Sequence, residues 1–170
     1  MRRSSGTLAV TIYMLVATGS DPIIPDLPGI QQPHVVTCVD LFRGKNKVGD
    51  TAAKVTVVEM LPELTVGSLP VPRMNRTMLL DLLTLNGVHV ITDANVQETT
   101  SEGVITTGKT YNGRVIKANT VILAVGMKSN NALYEKLLGK VIHLYALGDC
   151  REPRNVQGAV WDGYEVGRIV

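Results

Sequence analysis

Residues 141–150, V-I-H-L-Y-A-L-G-D-C, constrain the fold of this chain more than any other stretch. They are apolar through Leu147, with His143 as the exception, and the run ends at Gly148-Asp149. A short apolar run bounded by glycine predicts a strand, here Val141 to Leu147, that is buried on both faces. Such a strand requires layers of structure above and below it, so the stretch favours a covered sheet.

The end of this predicted strand has the chemistry of a ligand site. Gly148 allows a ligand to come close to the backbone. Asp149 places a carboxylate at the carboxyl end of the strand, which is where ligands bind in open α/β sheets. The alternative is that Asp149 only caps the helix that follows. This stretch alone supports both interpretations equally.

Composition and charge count against several classes of function. The chain has 170 residues, enough for one domain or two small lobes with an ordinary core. Its net charge is only +2 and the charges are scattered, so we expect no nucleic acid partner. Cys38 and Cys150 form no CxxC motif, which argues against a dithiol centre and a zinc ribbon. His34 lies four residues before Cys38, but in a stretch that predicts extended backbone, so we expect no metal site.

The N-terminus imitates a secretory signal, because Arg2-Arg3 precede a short apolar run and small residues follow that run. The run is too short to span a membrane, and its β-branched residues favour a strand from Val10 to Val16. The residues that follow this run form a pattern too specific for a signal peptide that is removed. We therefore expect a cytoplasmic protein with no membrane partner.

A second β-branched run, Val55 to Glu59, predicts a strand that ends in an acid. In a dinucleotide-binding lobe, an acid in this position accepts hydrogen bonds from ribose hydroxyls. The simpler interpretation is a solvated glutamate at a strand end. We also predict a helical turn capped by Asp40 and ended by Gly44, and a helix from Arg76 to Leu85 capped by Asn75. The apolar residues of this helix, Met78, Leu79, Leu82, Leu83 and Leu85, are expected mostly to face a core. The other predicted elements are strands over Val88–Thr92 and Thr120–Val125, a β-rich region from Ala94 to Lys117 with turns near Glu102-Gly103 and Asn112-Gly113, and helices over Asn131–Leu138 and Val156–Val170.

These stretches together carry a resemblance to a known family. They are Ala17-Thr18-Gly19-Ser20 with Pro25 and Pro28-Gly29, Val55 to Glu59 with Met60-Leu61-Pro62-Glu63, Val121 to Gly126, and Tyr145 to Cys150 with Pro153-Arg154-Asn155. In order and spacing, residues 8–170 resemble the C-terminal FAD/NAD-binding region of the NADH:flavin oxidoreductase family. The similar branch contains 2,4-dienoyl-CoA reductase, 2-enoate reductase and trimethylamine dehydrogenase.

The resemblance implies a three-layer α/β, FAD/NAD(P)-binding Rossmann-like fold in two interleaved, incomplete lobes. Residues 1–31 and 138–170 would form a partial FAD-type lobe, with Val10 to Val16 and Val141 to Leu147 in one sheet. Residues 32–137 would form an NAD-type lobe. The implied cofactors are FAD and NADH. The implied cofactor-binding residues are Ala17, Thr18, Gly19, Glu59, Gly126, Gly148, Asp149, Gln157, Gly158 and Ala159.

The departures from the family pattern matter as much as the matches. The family has a strand, a G-x-G-x-x-G turn and a helix before Val55, whereas this chain has only Thr51-Ala52-Ala53-Lys54 after Val48-Gly49-Asp50. No G-x-G-x-x-G occurs anywhere in the sequence, so neither phosphate-binding turn is present. The family's FMN-binding barrel and iron-sulfur cysteines are also missing. We therefore expect an internally deleted fragment, or a segment of a larger enzyme, whose missing portion would be a partner.

The resemblance implies part of an enzyme that passes hydride from NADH through FAD towards reduction of an activated C=C bond, of the 2-enoate or dienoyl-CoA type. The cofactors carry that reaction, and no side chain here is a candidate catalytic acid or base. The alternative is a non-catalytic fragment or interaction module with weak or no nucleotide binding, which could form a homo-oligomer. A thioredoxin-reductase-like enzyme shares the lobe plan, but the missing CxxC counts against it.

Overall fold

Residues 11–46, 54–64, 73–108 and 113–170 are the part of the chain that the structure, a computed structural model, describes. Over these ranges the backbone forms eleven strands and four helices, which confirms the predicted α/β class. The strands are β1 (Tyr13–Val16), β2 (Ser20–Pro22), β3 (Val35–Thr37), β4 (Thr56–Val58), β5 (His89–Ile91), β6 (Ala94–Thr100), β7 (Gly103–Gly108), β8 (Arg114–Lys117), β9 (Val121–Leu123), β10 (Met127–Ser129) and β11 (His143–Ala146). The helices are α1 (Cys38–Phe42), α2 (Arg73–Leu85), α3 (Ala132–Leu137) and α4 (Val156–Gly167).

The described residues divide into two compact units. The first combines the residues up to Asp21 with Lys128–Val170, and the second is Pro22–Met127. Strands β2 and β10, which carry the chain from one unit to the other, pair with each other. The second unit is therefore an insertion within the first along the chain.

The first unit is built on β1 and β11. They pair in parallel with Tyr13 opposite His143 and Val16 opposite Ala146, which confirms that these two strands share a sheet. The Leu147 N–H donates to the Val16 carbonyl at 2.9 Å and extends the ladder by one residue. Because the strands are parallel, their carboxyl ends lie side by side, and the residues that follow both strands meet at one edge.

The second unit contains three small sheets. Strands β3 and β9 pair in parallel, β4 and β5 pair in parallel, and β6, β7 and β8 form an antiparallel meander. Thr100 lies opposite Gly103 across β6 and β7, which confirms the turn predicted near Glu102-Gly103. Among the described residues β4 has β5 as its one partner, so its other edge carries no neighbouring strand.

The prediction that the strand from Val141 to Leu147 is buried on both faces is wrong. The strand is shorter, His143–Ala146, and all four of its residues are half-buried. Ile142, predicted to lie inside it, is 94% exposed. The physical reason is that within the described residues β11 has β1 as its single neighbour, so an apolar sequence occupies an edge position.

Two predicted helix caps are also wrong. Helix α2 begins at Arg73, so Asn75 lies inside it and is not its cap. Helix α1 is capped by Thr37, whose Oγ1 accepts from the Asp40 N–H at 3.1 Å. Asp40 instead pairs with Lys45 at 2.9 Å, and this hydrogen bond, with a second from Thr37, lowers the pKa of its carboxyl group. Both errors arise because several polar residues near a helix start can serve as caps.

Three predicted features lie wholly or partly outside the described residues. They are the amino end of the first strand at Val10, the shortened link over residues 47–53, and Asn112 of the second hairpin turn.

Candidate functional site

The turn after β11 is the centre of the candidate site. Gly148–Cys150 form one turn of 3-10 helix, and Gly148 has a φ of 59°, in the left-handed region that favours glycine. A Cβ atom on Gly148 would lie 3.4 Å from the Cβ atom of Ala159 in α4. The turn therefore packs closely on the first turn of α4.

The Asp149 carboxylate is half-buried and held by two donors. Ser20 Oγ donates to Oδ2 at 3.1 Å, and the Arg154 backbone N–H donates to Oδ1 at 3.3 Å. A carboxylate has about four lone-pair sites, so each oxygen keeps capacity for a further donor. Asp149 is thus fixed in orientation and still able to accept from a ligand hydroxyl.

The segment after β1 meets this turn at the same edge. Thr18 Oγ1 donates to the Asn130 carbonyl, and the Asn130 N–H donates to the Gly19 carbonyl at 2.9 Å. Gly19 has a φ of 75°, which allows the chain to turn there. The Thr18 hydroxyl hydrogen is therefore committed to the protein, and a ligand could use only the oxygen lone pairs of Thr18.

The amino end of α4 forms a third side of the site. Asn155 caps the helix, and its side chain accepts from the Gly158 N–H at 2.9 Å. The N–H groups of Val156 and Gln157 precede that bond and have no intrahelical acceptor, as at the start of any helix. Such N–H groups favour an anion or a carbonyl oxygen.

Asp162 is a buried carboxylate behind the turn, with a relative exposure of 4%. It accepts from the Gly148 N–H at 3.0 Å, from Arg151 Nη1 at 3.0 Å and from Arg154 Nη2. Burial alone would raise the pKa of Asp162, but the hydrogen bonds from Arg154 and Gly148 and the two positive charges outweigh it and lower that pKa. Asp162 is consequently ionised at neutral pH.

The two remaining candidates, Glu59 and Gly126, lie in the second unit. Glu59 directly follows β4, and its Oε1 accepts from the Leu61 N–H at 3.0 Å. Gly126 follows β9 with a φ of 114°, and its carbonyl accepts from the Ile23 N–H at 3.0 Å. The two residues follow strands of different sheets, β4–β5 and β3–β9.

A cavity of about 380 Å³ also lies in the first unit, between α3, β11 and α4, and its lining includes the buried thiol of Cys150. Gly148 and Asp149 do not line it. The cavity is therefore separate from the edge at which the candidate residues meet.

The structure brings eight of the ten candidate residues to one edge of the first unit, namely Ala17, Thr18, Gly19, Gly148, Asp149, Gln157, Gly158 and Ala159. Sequence reasoning missed three residues that hold this edge: Ser20, Arg154 and Asp162. The sequence held one signal for them, which is a single aspartate, Asp162, within the otherwise largely apolar start of α4. This aspartate indicates a buried ion pair only when it is known which face of the helix is packed.

Neither a metal centre nor a membrane span is found in the described part of the chain. Those residues hold no group of three or more His, Cys, Asp or Glu side chains placed to bind a metal ion. They also form no helix with the length and apolar character needed to cross a membrane.

A family model described as pyridine nucleotide-disulphide oxidoreductase matches residues 44–163. The chain belongs to this family. This is a family of flavoprotein oxidoreductases that bind FAD and a pyridine nucleotide, and the chain has the family's Rossmann-like fold.

Individual relatives show which members of this family the chain resembles. The cinnamate reductase of Clostridium sporogenes is 25% identical over 179 residues, which cover 92% of this chain and 26% of that protein. The NADH oxidase of Thermoanaerobacter brockii is 27% identical, covering 91% and 27%. A solved 2-naphthoyl-CoA reductase complex matches with a TM-score of 0.80 and 26% identity, covering 90% of this chain and 26% of that one.

These comparisons confirm the resemblance to flavin oxidoreductases of the enoate and dienoyl-CoA reductase type. The chain spans about a quarter of the length of the relatives it matches. The oxidoreductase region described here therefore corresponds to one part of much longer proteins.

Proposed function

We propose that this chain is the FAD- and NAD-binding region of an enzyme that passes hydride from NADH through FAD towards an activated C=C bond. Two relatives support this substrate class, since one is named a reductase of cinnamate, which is a 2-enoate, and the other a reductase of 2-naphthoyl-CoA. FAD, when bound, accepts hydride and passes electrons on. The chain's own contribution is to bind and orient the two nucleotides.

The observation that carries the flavin assignment is the Asp149 carboxylate, oriented by Ser20 and the Arg154 N–H at the shared edge of β1 and β11. Gly148, in left-handed backbone, allows the turn that carries Asp149 to pack closely on Ala159 at the start of α4. Asp149 would accept from a flavin-nucleotide hydroxyl, and the first turn of α4 would donate to the cofactor. These residues fit one side of an FAD site, formed by Ala17, Thr18, Gly19, Gly148, Asp149, Gln157, Gly158 and Ala159.

Glu59 and Gly126 are the proposed pyridine-nucleotide residues. Glu59 Oε1 already accepts from the Leu61 N–H, which orients the carboxylate and leaves further lone pairs for ribose hydroxyls. On this proposal residues 1–31 and 138–170 belong to the FAD-type lobe and residues 32–137 to the NAD-type lobe. The rest of the parent enzyme would supply FMN, an iron-sulfur cluster and the final reduction.

The second candidate function is a non-catalytic interaction module, and one observation favours it. Helix α2 exposes Met74, Met78, Leu82 and Leu85, with relative exposures of 85%, 59%, 44% and 81%. The spacing places them on one face of the helix. An apolar face that nothing covers within the described residues suits association with another surface, for which a second copy of the chain is the proposed partner.

Flavin titration of an Asp149→Asn variant tests the proposed function. Asp149→Asn keeps the shape of the side chain but removes the charge, so the FAD affinity should fall about 10- to 100-fold. The measurement is the change in flavin fluorescence or in backbone amide NMR signals as FAD is added, up to millimolar concentrations. Glu165→Gln, an exposed carboxylate on α4, is the matched control and should leave the affinity unchanged. Equal affinities for the wild-type and Asp149→Asn chains would remove Asp149 from the flavin site.

A further inference from the structure

Asp162 is the one acidic side chain that is buried among the described residues. Its three donors come from both ends of the loop between β11 and α4: the Gly148 N–H at the start, Arg151 within the loop, and the Arg154 guanidinium at the end. One side chain on α4 therefore holds the start and the end of the loop that carries Asp149.

The same loop end also contacts Asp149 directly. The Arg154 side chain donates to Asp162, while the Arg154 backbone N–H donates to Asp149 Oδ1 at 3.3 Å. Asp149 follows Gly148, whose N–H is bound by Asp162 at 3.0 Å. The position of the Asp149 carboxylate is thus tied to Asp162 through Gly148 on one side and Arg154 on the other.

Gly158 leaves the space that this arrangement needs. A Cβ atom on Gly158 would lie 3.2 Å from Arg154 Cζ and 3.2 Å from Arg154 Nε, so the guanidinium crosses the bare backbone of α4. The buried Arg154 Nε has no hydrogen-bond partner in the described part of the chain. Because an unpaired buried donor is costly, the placement of this guanidinium requires the strong contact with Asp162.

We propose that Asp162 is the positioning residue of the flavin site, and that it sets the orientation of the Asp149 carboxylate through Gly148 and Arg154. The inference rests on the proposed flavin role of Asp149. Asp162 itself is buried behind the turn, and three protein donors occupy its carboxylate. Its effect on flavin binding therefore passes entirely through the loop from Gly148 to Arg154.

A purely stabilising role for Asp162 is the competing explanation. The energetics of buried ion pairs count against it. Buried ion pairs add little net stability, because removing the two charges from water costs about as much as their attraction returns. In some proteins such groups are retained because they specify one geometry. The matching geometry here is a carboxylate that receives donors from both ends of a single loop.

Amide hydrogen exchange in the ligand-free chain is the first test. In Asp162→Asn, one remaining oxygen cannot serve all three donors, so the loop should open more often. The Gly148 and Arg154 amides should both exchange about tenfold faster, while amides of β1 and β11 keep their rates. Glu152→Gln is the control, because the exposed Glu152 carboxylate lies 3.8 Å from Arg154 Nε, and the Glu152 group bonded to Gly148 is the backbone N–H, which the variant keeps. Faster exchange at Gly148 alone would overturn the inference.

A double-mutant cycle on FAD affinity is the second test. Asp162→Asn should weaken FAD binding about tenfold in the wild-type background and have no further effect in the Asp149→Asn background. A merely structural role predicts the same loss in both backgrounds, and that result would overturn the inference. Arg154→Lys, which keeps the charge and the backbone N–H, should give a smaller loss with the same dependence on Asp149. This variant decides the question if Asp162→Asn fails to fold.

The two proposals fail in different ways. If Asp149→Asn leaves the FAD affinity unchanged, the proposed flavin role is wrong, and the exchange test alone still decides whether Asp162 holds the loop. If Asp149→Asn weakens FAD binding but Asp162→Asn does not, the flavin role stands and the positioning role is wrong.

Discussion

Asp149 and Glu59 are half-buried carboxylates that follow strand ends, and both are held by protein hydrogen-bond donors. Asp149 accepts from Ser20 Oγ and the Arg154 N–H, and Glu59 accepts from the Leu61 N–H two residues later. In each case a protein donor fixes the orientation of the carboxylate and leaves lone pairs for other donors. Asp162 differs because three protein donors occupy it. The first two carboxylates are suited to binding a ligand, and the third to holding the protein.

Glu59 carries a prediction about the choice of nicotinamide cofactor. The Glu59 carboxylate would repel a 2′-phosphate and would accept a hydrogen bond from a free 2′-hydroxyl. The parent enzyme should therefore prefer NADH to NADPH. Glu59→Ala should reduce that preference about tenfold or more, mainly by weakening NADH binding. The measurement is kcat/KM with each cofactor. Glu63→Gln, an exposed acid paired with Arg76, is the control. A parent enzyme that prefers NADPH would remove this role from Glu59.

The sequence was sufficient to predict the position of Asp149 and Glu59, because each directly follows a β-branched or apolar run. It did not reveal Asp162, because the burial of one aspartate in a helix depends on which face of that helix packs against the turn. It did not reveal the role of Ser20 either. The contact between Ser20 and Asp149 joins residues 129 positions apart and exists only because β1 and β11 are parallel neighbours.

At the scale of elements, prediction worked best where local chemistry and tertiary packing agree. Helix α4 begins at Val156 as predicted, with Asn155 as a cap that satisfies the Gly158 N–H. Strand β11 is shorter and more exposed than its apolar sequence predicts, since a run of apolar residues does not specify how many strands flank it.

Helix α2 shows the same limit most clearly, because two of its faces are apolar. Leu79 and Leu83 are half-buried, whereas Met78, Leu82 and Leu85 are exposed, so the prediction that these five residues mostly face a core is wrong. The resemblance to the flavin oxidoreductases also implies that the sequence before β4 lacks one strand and one helix of the family pattern. In a parallel α/β sheet, successive crossover helices on one face pack beside each other. The exposed face of α2 is therefore the surface expected to lack a neighbour.

Self-association through α2 is the prediction at this scale. The exposed face and the unpaired edge of β4 should together produce a concentration-dependent dimer. Met78→Gln should weaken it about tenfold, since it removes buried apolar area from the centre of the contact. Sedimentation equilibrium at several concentrations measures this. Ile142→Gln is the control, because Ile142 is 94% exposed but lies in the first unit, away from both α2 and β4 along the chain. A wild-type chain that stays monomeric at all concentrations contradicts the prediction.

At the scale of the whole molecule, the proposed function assigns part of a nucleotide site to each of the two described units. The first would contribute Asp149 and the amino end of α4, and the second would contribute Glu59. The sequence contains no G-x-G-x-x-G turn for a pyrophosphate. Such a turn supplies two or three hydrogen bonds to a charged group, each contributing about 1.5–3 kcal/mol. Without it, the affinity of either nucleotide should be lower by about three orders of magnitude.

The last prediction is that the 170-residue chain alone binds FAD weakly and has no reductase turnover. On the proposed function the chain holds one side of a flavin pocket, but the phosphate-binding turn that would complete that pocket has no counterpart in the sequence. The chain should therefore elute without flavin absorption on gel filtration, and it should not oxidise NADH with an artificial acceptor. The longer parent protein, assayed in parallel, should retain FAD and oxidise NADH. Stoichiometric FAD and NADH turnover in the isolated chain would mean that other residues replace the missing glycine turns.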